Sequence, residues 1–196
     1  MRVLTSKLGR LRPLAALVLL TPGALAQTAD WAALSGALGA AVPLDDAFGD
    51  AWRLEPGLAV RASTPAYGGT VRGSVLAFEA ETTRDGLPGF LVVAPAVGWG
   101  VGVPLGRARA EAGAELGIVH MRFGDEGGFT GALQDETEVS VGLFGRVEAR
   151  VVGPVSAWTD VSVARVALAE PVALTSVAAG LSVSVATPGW LRRALR

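Results

Sequence analysis

The chain contains no cysteine. This excludes disulfides, thiolate metal sites, a cysteine nucleophile and lipid attachment at an N-terminal cysteine. Histidine occurs once, as His120, and lysine once, as Lys7. A single histidine argues against a transition-metal centre and against a serine–histidine nucleophile system. Aromatic residues make up only 6% of the chain. No basic patch interleaved with aromatics is present, so nucleic acid is not an expected partner. Also missing is any apolar run long enough for a transmembrane helix, because glycine or a charge interrupts every candidate. Yet 51% of residues are hydrophobic and the mean hydropathy is +0.44. Apolar residues that are abundant but dispersed at period two are how a lipid-facing β-barrel escapes hydropathy plots.

The first 26 residues read as a targeting segment. Arg2, Lys7, Arg10 and Arg12 form a basic start with no acid, "PLAALVLL" is a short apolar stretch, and Ala24 and Ala26 supply small residues for cleavage. This is the pattern of a secretory signal peptide, with Gln27 the expected mature N-terminus. Its removal takes away four basic groups and no acidic one. The remaining 13 basic and 18 acidic groups give a net charge of −5. The roughly 170 residues that remain fit one domain.

Along that domain, alternation of apolar and polar residues recurs in segments 36–42, 54–62, 69–82, 90–103, 107–118, 137–150, 155–168 and 173–186. Segment 69–82 alternates less cleanly, since Glu79 and Glu81 share one parity and Arg72 takes the other. The stretch "RARAEAGAELGI" (107–118) also fits helical three-and-four spacing. Gly113 and Gly117 would each cost about 1 kcal/mol inside a helix, so the strand reading is preferred. Its polar face is then Arg107, Arg109, Glu111 and Glu115, and its apolar face runs from Ala108 to Ile118. About eight strands result. Their connections alternate between tight turns ("TPAYGG", "VPLGR", "VVGP") and longer loops ("DDAFGDAW", "TTRDGLP", "GDEGGFTGALQDE", "LAEP"). Short turns at one end and long loops at the other are the asymmetry of an outer-membrane barrel. Trp99 and Trp190 fall near the tight turns and Trp52 near the loops, as the two interfacial girdles require.

The signal peptide, the pattern "LGAAVPLDDAFGDAW…GLAV" and the alternating strands together resemble the small outer-membrane β-barrels typified by the outer-membrane protein A barrel. The resemblance covers nearly the whole mature chain and is one of pattern, with no invariant catalytic motif. It implies an antiparallel up-and-down transmembrane β-barrel of about eight strands over residues 27–187, after a signal peptide at 1–26. It also implies a bacterial outer-membrane location, surrounding lipid and lipopolysaccharide, insertion by barrel assembly machinery, and a monomer. Such barrels often end in a strand with a terminal aromatic. Here a short cationic tail, residues 188–196, follows instead, suited to an interface through Trp190, Leu191 and its arginines.

The parity opposite the lipid-like face carries Glu55, Arg61, Arg107, Arg109, Glu111, Glu115, Glu138, Arg146 and Glu148. An eight-stranded barrel has room inside only for its own side chains, and unpaired buried charge is costly. An ion-paired interior is therefore expected, with a small pore as the alternative. No catalytic, cofactor-binding or metal-ligating residue is singled out. His120 has lipid-facing parity, as in outer-membrane lipid A deacylases, but "VHMRFGDE" does not match their motif. The acids Asp45, Asp46, Asp50, Asp85, Asp125, Glu126, Asp135 and Glu136 crowd the loops, where solvation explains them more simply than Ca²⁺. The rival architecture is a soluble lipocalin-like barrel with an apolar interior and a charged outside. The near absence of charge over the odd positions of 91–103 favours the membrane form.

Overall fold

The computed structural model describes residues 33–44, 48, 51–84, 87–124, 135–168 and 171–194. It is a single antiparallel sheet whose strands are β1 (Ala33–Pro43), β2 (Trp52–Leu54), β3 (Gly57–Ala66), β4 (Gly69–Thr82), β5 (Phe90–Leu105), β6 (Ala108–Phe123), β7 (Glu136–Val152), β8 (Val155–Val166) and β9 (Val172–Ala186). A short helix, α1 (Gly189–Ala194), follows. Each long strand pairs with its sequence neighbour, and β1 pairs with β9, so the sheet closes. β2 and β3 are two parts of one stave. Leu54 faces Ala80 and Leu58 faces Ala77, so four steps on one strand match three on β4. That extra residue is a β-bulge at Glu55–Pro56, where proline cannot donate to the ladder. The result is an eight-staved up-and-down barrel.

Three hairpins at the end shared by the termini are two-residue turns. Tyr67 and Gly68 both have positive φ (52° and 73°), as a type I′ turn demands. Gly106 and Gly153 have φ of 65° and 52° at the first position of the other two, the glycine-first pattern of type II′. Their twist matches that of the strands they join, which fixes register without longer loops.

Every strand alternates, and the alternation is inside out relative to a soluble protein. Leu143 is 67% exposed, Val97 63% and Leu38 61%. With Leu58, Val60, Leu116, Val141 and Leu181 they make a continuous apolar belt around the barrel. Among the described residues, exposed charge is confined to the two ends of the barrel, with Glu79, Arg122, Glu136 and Arg165 on the loop side and Arg107 and Arg150 on the terminus side. Water would penalise such a surface heavily, since soluble monomers rarely expose contiguous apolar patches above a few hundred Å². A bilayer rewards it. The barrel is thus of the transmembrane type, and the lipocalin-like alternative is excluded by which face is outward. Among the described residues no helix is long and apolar enough to cross a membrane.

The inward face divides into two halves. Toward the loops it is apolar, built on Phe78, Phe90, Val92, Val119, Met121, Val166 and Leu174. Phe48, Trp52 and Phe123 surround Phe90 at ring-centroid distances of 5.2, 5.6 and 5.1 Å. Trp52 therefore seals the mouth of the barrel, with Nε1–H donating to the Pro88 carbonyl at 3.0 Å, rather than joining an interfacial girdle. Its indole packs edge-on against Phe90, the ring on which Phe48 and Phe123 also converge. Trp99, 44% exposed, is on the outward side of β5 toward its terminus end, and Trp190, 67% exposed, is on α1 beyond β9. Toward the termini the lumen is polar.

Candidate functional site

The lumen's polar half is built from glycine outward. Gly39 on β1 and Gly180 on β9 face each other in register, and Trp158 on β8 is the next residue in that row. Gly100 on β5, Gly113 on β6 and Phe144 on β7 form a second row of the same kind. The missing side chains leave floor space for the aromatic rings, which lie across the glycines. The rings then support cations. The Arg61 guanidinium stands 4.5 Å from the Trp158 ring centre, and Arg72 stands 3.4 Å from that of Phe144.

Those two arginines meet on Asp160. Arg61 Nη2 donates to Asp160 Oδ1 at 2.9 Å and Arg72 Nη1 to Oδ2 at 2.8 Å. A second nitrogen of Arg72 donates to Glu115. β4 and β8 lie four staves apart on a ring of eight, so the Arg72–Asp160 pair spans the full diameter. The Arg72 and Asp160 side chains are only 2% and 1% exposed. Nearer the termini, Arg146 pairs with Glu148 at 2.8 Å and Arg109 with Glu111 at 3.6 Å. Ser182 donates to Glu148, and Arg109 to Thr70. Between the transverse pair and the apolar half lies a cavity of about 40 Å³ lined in part by Arg61, Arg72, Ser140, Ser162 and Ser176. Apolar side chains such as Leu76, Val119 and Leu174 complete its wall, and it is large enough to hold water beside its polar groups.

The residues singled out from parity are distributed as follows. Arg61, Arg109, Glu111, Glu115, Arg146 and Glu148 face the lumen and take part in these contacts. Glu138 is on the inward parity near the loop end and half-buried. Glu55 sits in the bulge at the rim, where its carboxylate accepts from Arg53 at 2.7 Å in an exposed pair; the bulge breaks the parity count at that point. Arg107 lies just before β6, in the tight turn from β5, and is exposed. Two central residues were missed. Arg72 looked anomalous beside Glu79 and Glu81, but those two belong to the outer rim and Arg72 to the lumen. Asp160 sits in a strand whose alternation is weak. Parity did hold a signal for both, since each is the lone charge on the inward side of its stave. His120, on the outer surface, is hydrogen-bonded through Nδ1 to Thr137 Oγ1 at 2.8 Å. Among the described residues no group of three histidines or carboxylates could hold a metal ion.

This arrangement ties staves together and fills the bore. One prediction tests its foundation. A Cβ on Gly180 would fall against the Leu38 carbonyl oxygen and the Gly39 backbone, which cannot move aside as a side chain can. Gly180→Ala is expected to cost about 3 kcal/mol, at the upper end for overpacking. Gly36→Ala, which meets nothing within 4 Å, should be close to neutral. Urea unfolding of both variants in lipid vesicles measures the difference.

Fold and lumen define a small eight-stranded transmembrane barrel of the outer-membrane type with an occluded interior. Among solved structures, the chain is similar to the crystal structure of Neisserial surface protein A (NspA). Sequence identity is 16%, coverage is 78% of this chain and 95% of that one, and the TM-score is 0.51. A second similar structure is that of Ail, the attachment invasion locus protein of Yersinia pestis, with 11% identity, 78% and 97% coverage and a TM-score of 0.49. At such identities the likeness is one of fold. No protein-family model matches the sequence, and no curated protein does.

Proposed function

We propose that the protein is a non-enzymatic integral barrel of the bacterial outer membrane whose role is structural or surface-interactive. The single observation that carries this is the combination of an apolar outer belt with a lumen closed twice over. The Arg72–Asp160 pair crosses the bore, and the Phe78–Phe90–Val92 cluster fills the half above it. A closed bore leaves the loops as the part of the molecule that differs from a plain membrane plug. Interaction with lipopolysaccharide or an extracellular partner would then lie with the loops, and insertion would use the barrel assembly machinery. The name of NspA, a surface protein, is in keeping with such a role.

The test is made on cells and on the purified barrel. The protein should fractionate with the outer membrane, and protease added to intact cells should cut first in residues 124–135, a segment with four glycines. In planar bilayers it should give no conductance steps. Recovery in a soluble fraction would reject the membrane reading. Protection of 124–135 with cutting at the Tyr67–Gly68 turn would invert the topology, and stable conductance would reject the closed bore.

A further inference from the structure

The two halves of the lumen differ in what they offer water. Among the described residues, seven buried side-chain polar atoms have no hydrogen-bond partner in the protein. They are Ser35 Oγ, Thr64 Oγ1, Trp158 Nε1, Arg146 Nε, Arg72 Nε, and both Nε and Nη1 of Arg61. All seven lie on the terminus side of the apolar cluster. They run from Ser35, near the terminus end of β1, to Arg61 and Arg72 at the transverse pair. A cavity of about 50 Å³ stands at the outer end of this run. Ser35, Thr64, Glu111 and Glu148 form part of its wall, and so do Gly153 and Pro154 of the exposed β7–β8 turn. The cavity of about 40 Å³ beyond the pair stands at its inner end, with Arg61, Arg72, Glu115 and Ser176 in its wall. Past that point the buried cluster of Phe78, Phe90, Val92, Val119 and Met121 is apolar throughout.

We infer that the polar half is a water-filled vestibule entered from the terminus end, and that the apolar half is the barrier to ions and small solutes. This deepens the closed bore proposed above and rests on it. The transverse pair bars the bore to larger solutes, but water and small ions pass around it. A buried donor left unmet costs more than an ordinary hydrogen bond gains, and water is the acceptor small enough to enter both cavities. Guanidinium and carboxylate accommodate it readily, since each has hydrogen-bonding positions that its partner does not use. Rings and aliphatic chains give water no such partner. On each of β4, β5 and β6 the cluster places two successive inward residues, Phe78 and Ala80, Phe90 and Val92, and Val119 and Met121. At about 3.3 Å per residue that layer is roughly 7 Å deep. An apolar constriction of this kind stops ions by expelling water. The seal thus works by dewetting, and the charges beneath it hold the staves together without setting the permeability.

The chain has no cysteine, so a single introduced thiol reports without background. Ser184→Cys, Ser176→Cys and Val92→Cys are made in the full mature chain and folded in detergent micelles, where both ends meet the same solution. Heat-modifiable migration confirms that each barrel is folded. The probe is Ag⁺, a small cation that displaces the thiol proton and bonds the sulfur; excess is removed and the remaining thiol is counted after unfolding. Ser184 borders the outer cavity, Ser176 the cavity beyond the transverse pair, and Val92, 0% exposed, belongs to the apolar cluster. Reaction rates should fall in that order, with Val92→Cys at least about tenfold slower than Ser176→Cys because a dry layer excludes a hydrated cation. Ser176→Cys as slow as Val92→Cys would overturn the inference, since the pair would then be the seal. Val92→Cys as fast as Ser176→Cys would overturn it too, since water would then cross the apolar half. In planar bilayers folded Asp160→Asn should stay silent, and conductance steps from it would place the barrier at the pair. The closed bore is read separately. Conductance by the wild type would reject it, whereas a silent wild type with a protected Ser176→Cys would reject the vestibule and leave the closed bore standing.

Discussion

Asp160→Ala should destabilise the barrel by about 3–5 kcal/mol, the range for breaking a buried ion pair from one side. Asp160 is the carboxylate partner of Arg61 and one of two for Arg72. Its loss leaves Arg61 facing Trp158 without its ion-pair partner, in a site where the Arg61 side chain is 6% exposed. Cation–π attraction offsets only part of that, about 2 kcal/mol at best. Asp160→Asn keeps the shape and one acceptor oxygen and removes the charge, so it should fall between wild type and alanine. Glu55→Ala serves as the control, because its pair with Arg53 is at the solvated rim and should be worth under about 1 kcal/mol. The measurement is reversible urea unfolding in lipid vesicles, followed by tryptophan fluorescence. A cost for Asp160→Ala no greater than that for Glu55→Ala would mean that water replaces the carboxylate and that the transverse pair holds nothing together.

The same residues show why the fold was legible and the site only partly so. Strand alternation depends on side-chain period alone, and 69–82 coincides with β4 while most other segments fall short of their strands by a few residues. The tight turns were legible because Gly68, Gly106 and Gly153 are needed for positive φ. The lumen is harder. Parity says which side chains point inward, but not how far along the bore they sit. Glu55 and Arg61 share a parity, yet one is at the rim and the other at the centre. The apolar half had also left a trace in Phe90, Val92, Ala94 and Ala96, which sit on the inward side of β5 without a charge. Reading them as a plug requires knowing which strands lie opposite, and closure of the sheet, not local sequence, decides that. The pairing of Arg72 with Asp160, 88 residues apart, is a consequence of closure in the same way. Trp52 was misplaced for a related reason, since proximity to the loops does not distinguish the mouth of the bore from its outer wall.

The outward belt makes a prediction that separates a bilayer from water as solvent. Leu143 lies near the middle of β7, 67% exposed, between Ala114 of β6 and Val163 of β8 in register. Leu143→Arg should cost about 2–4 kcal/mol in lipid vesicles, the range for arginine near the midplane of a barrel's lipid face. Were this face in water, replacing an exposed leucine with arginine would change stability by no more than about 0.5 kcal/mol. Depth provides an internal reference. Leu105, 57% exposed at the terminus end of β5, sits where the belt gives way to Arg107, and Leu105→Arg should cost no more than about 1 kcal/mol because arginine can reach the headgroups there. The informative quantity is thus the difference between the two variants in one lipid, measured by urea unfolding, since the change of residue is identical and only depth differs. A difference of about 2 kcal/mol would locate Leu143 in hydrocarbon and Leu105 at its edge. Equal costs would mean that the belt is not graded by depth, and the apolar surface would then have to be covered by protein instead of lipid.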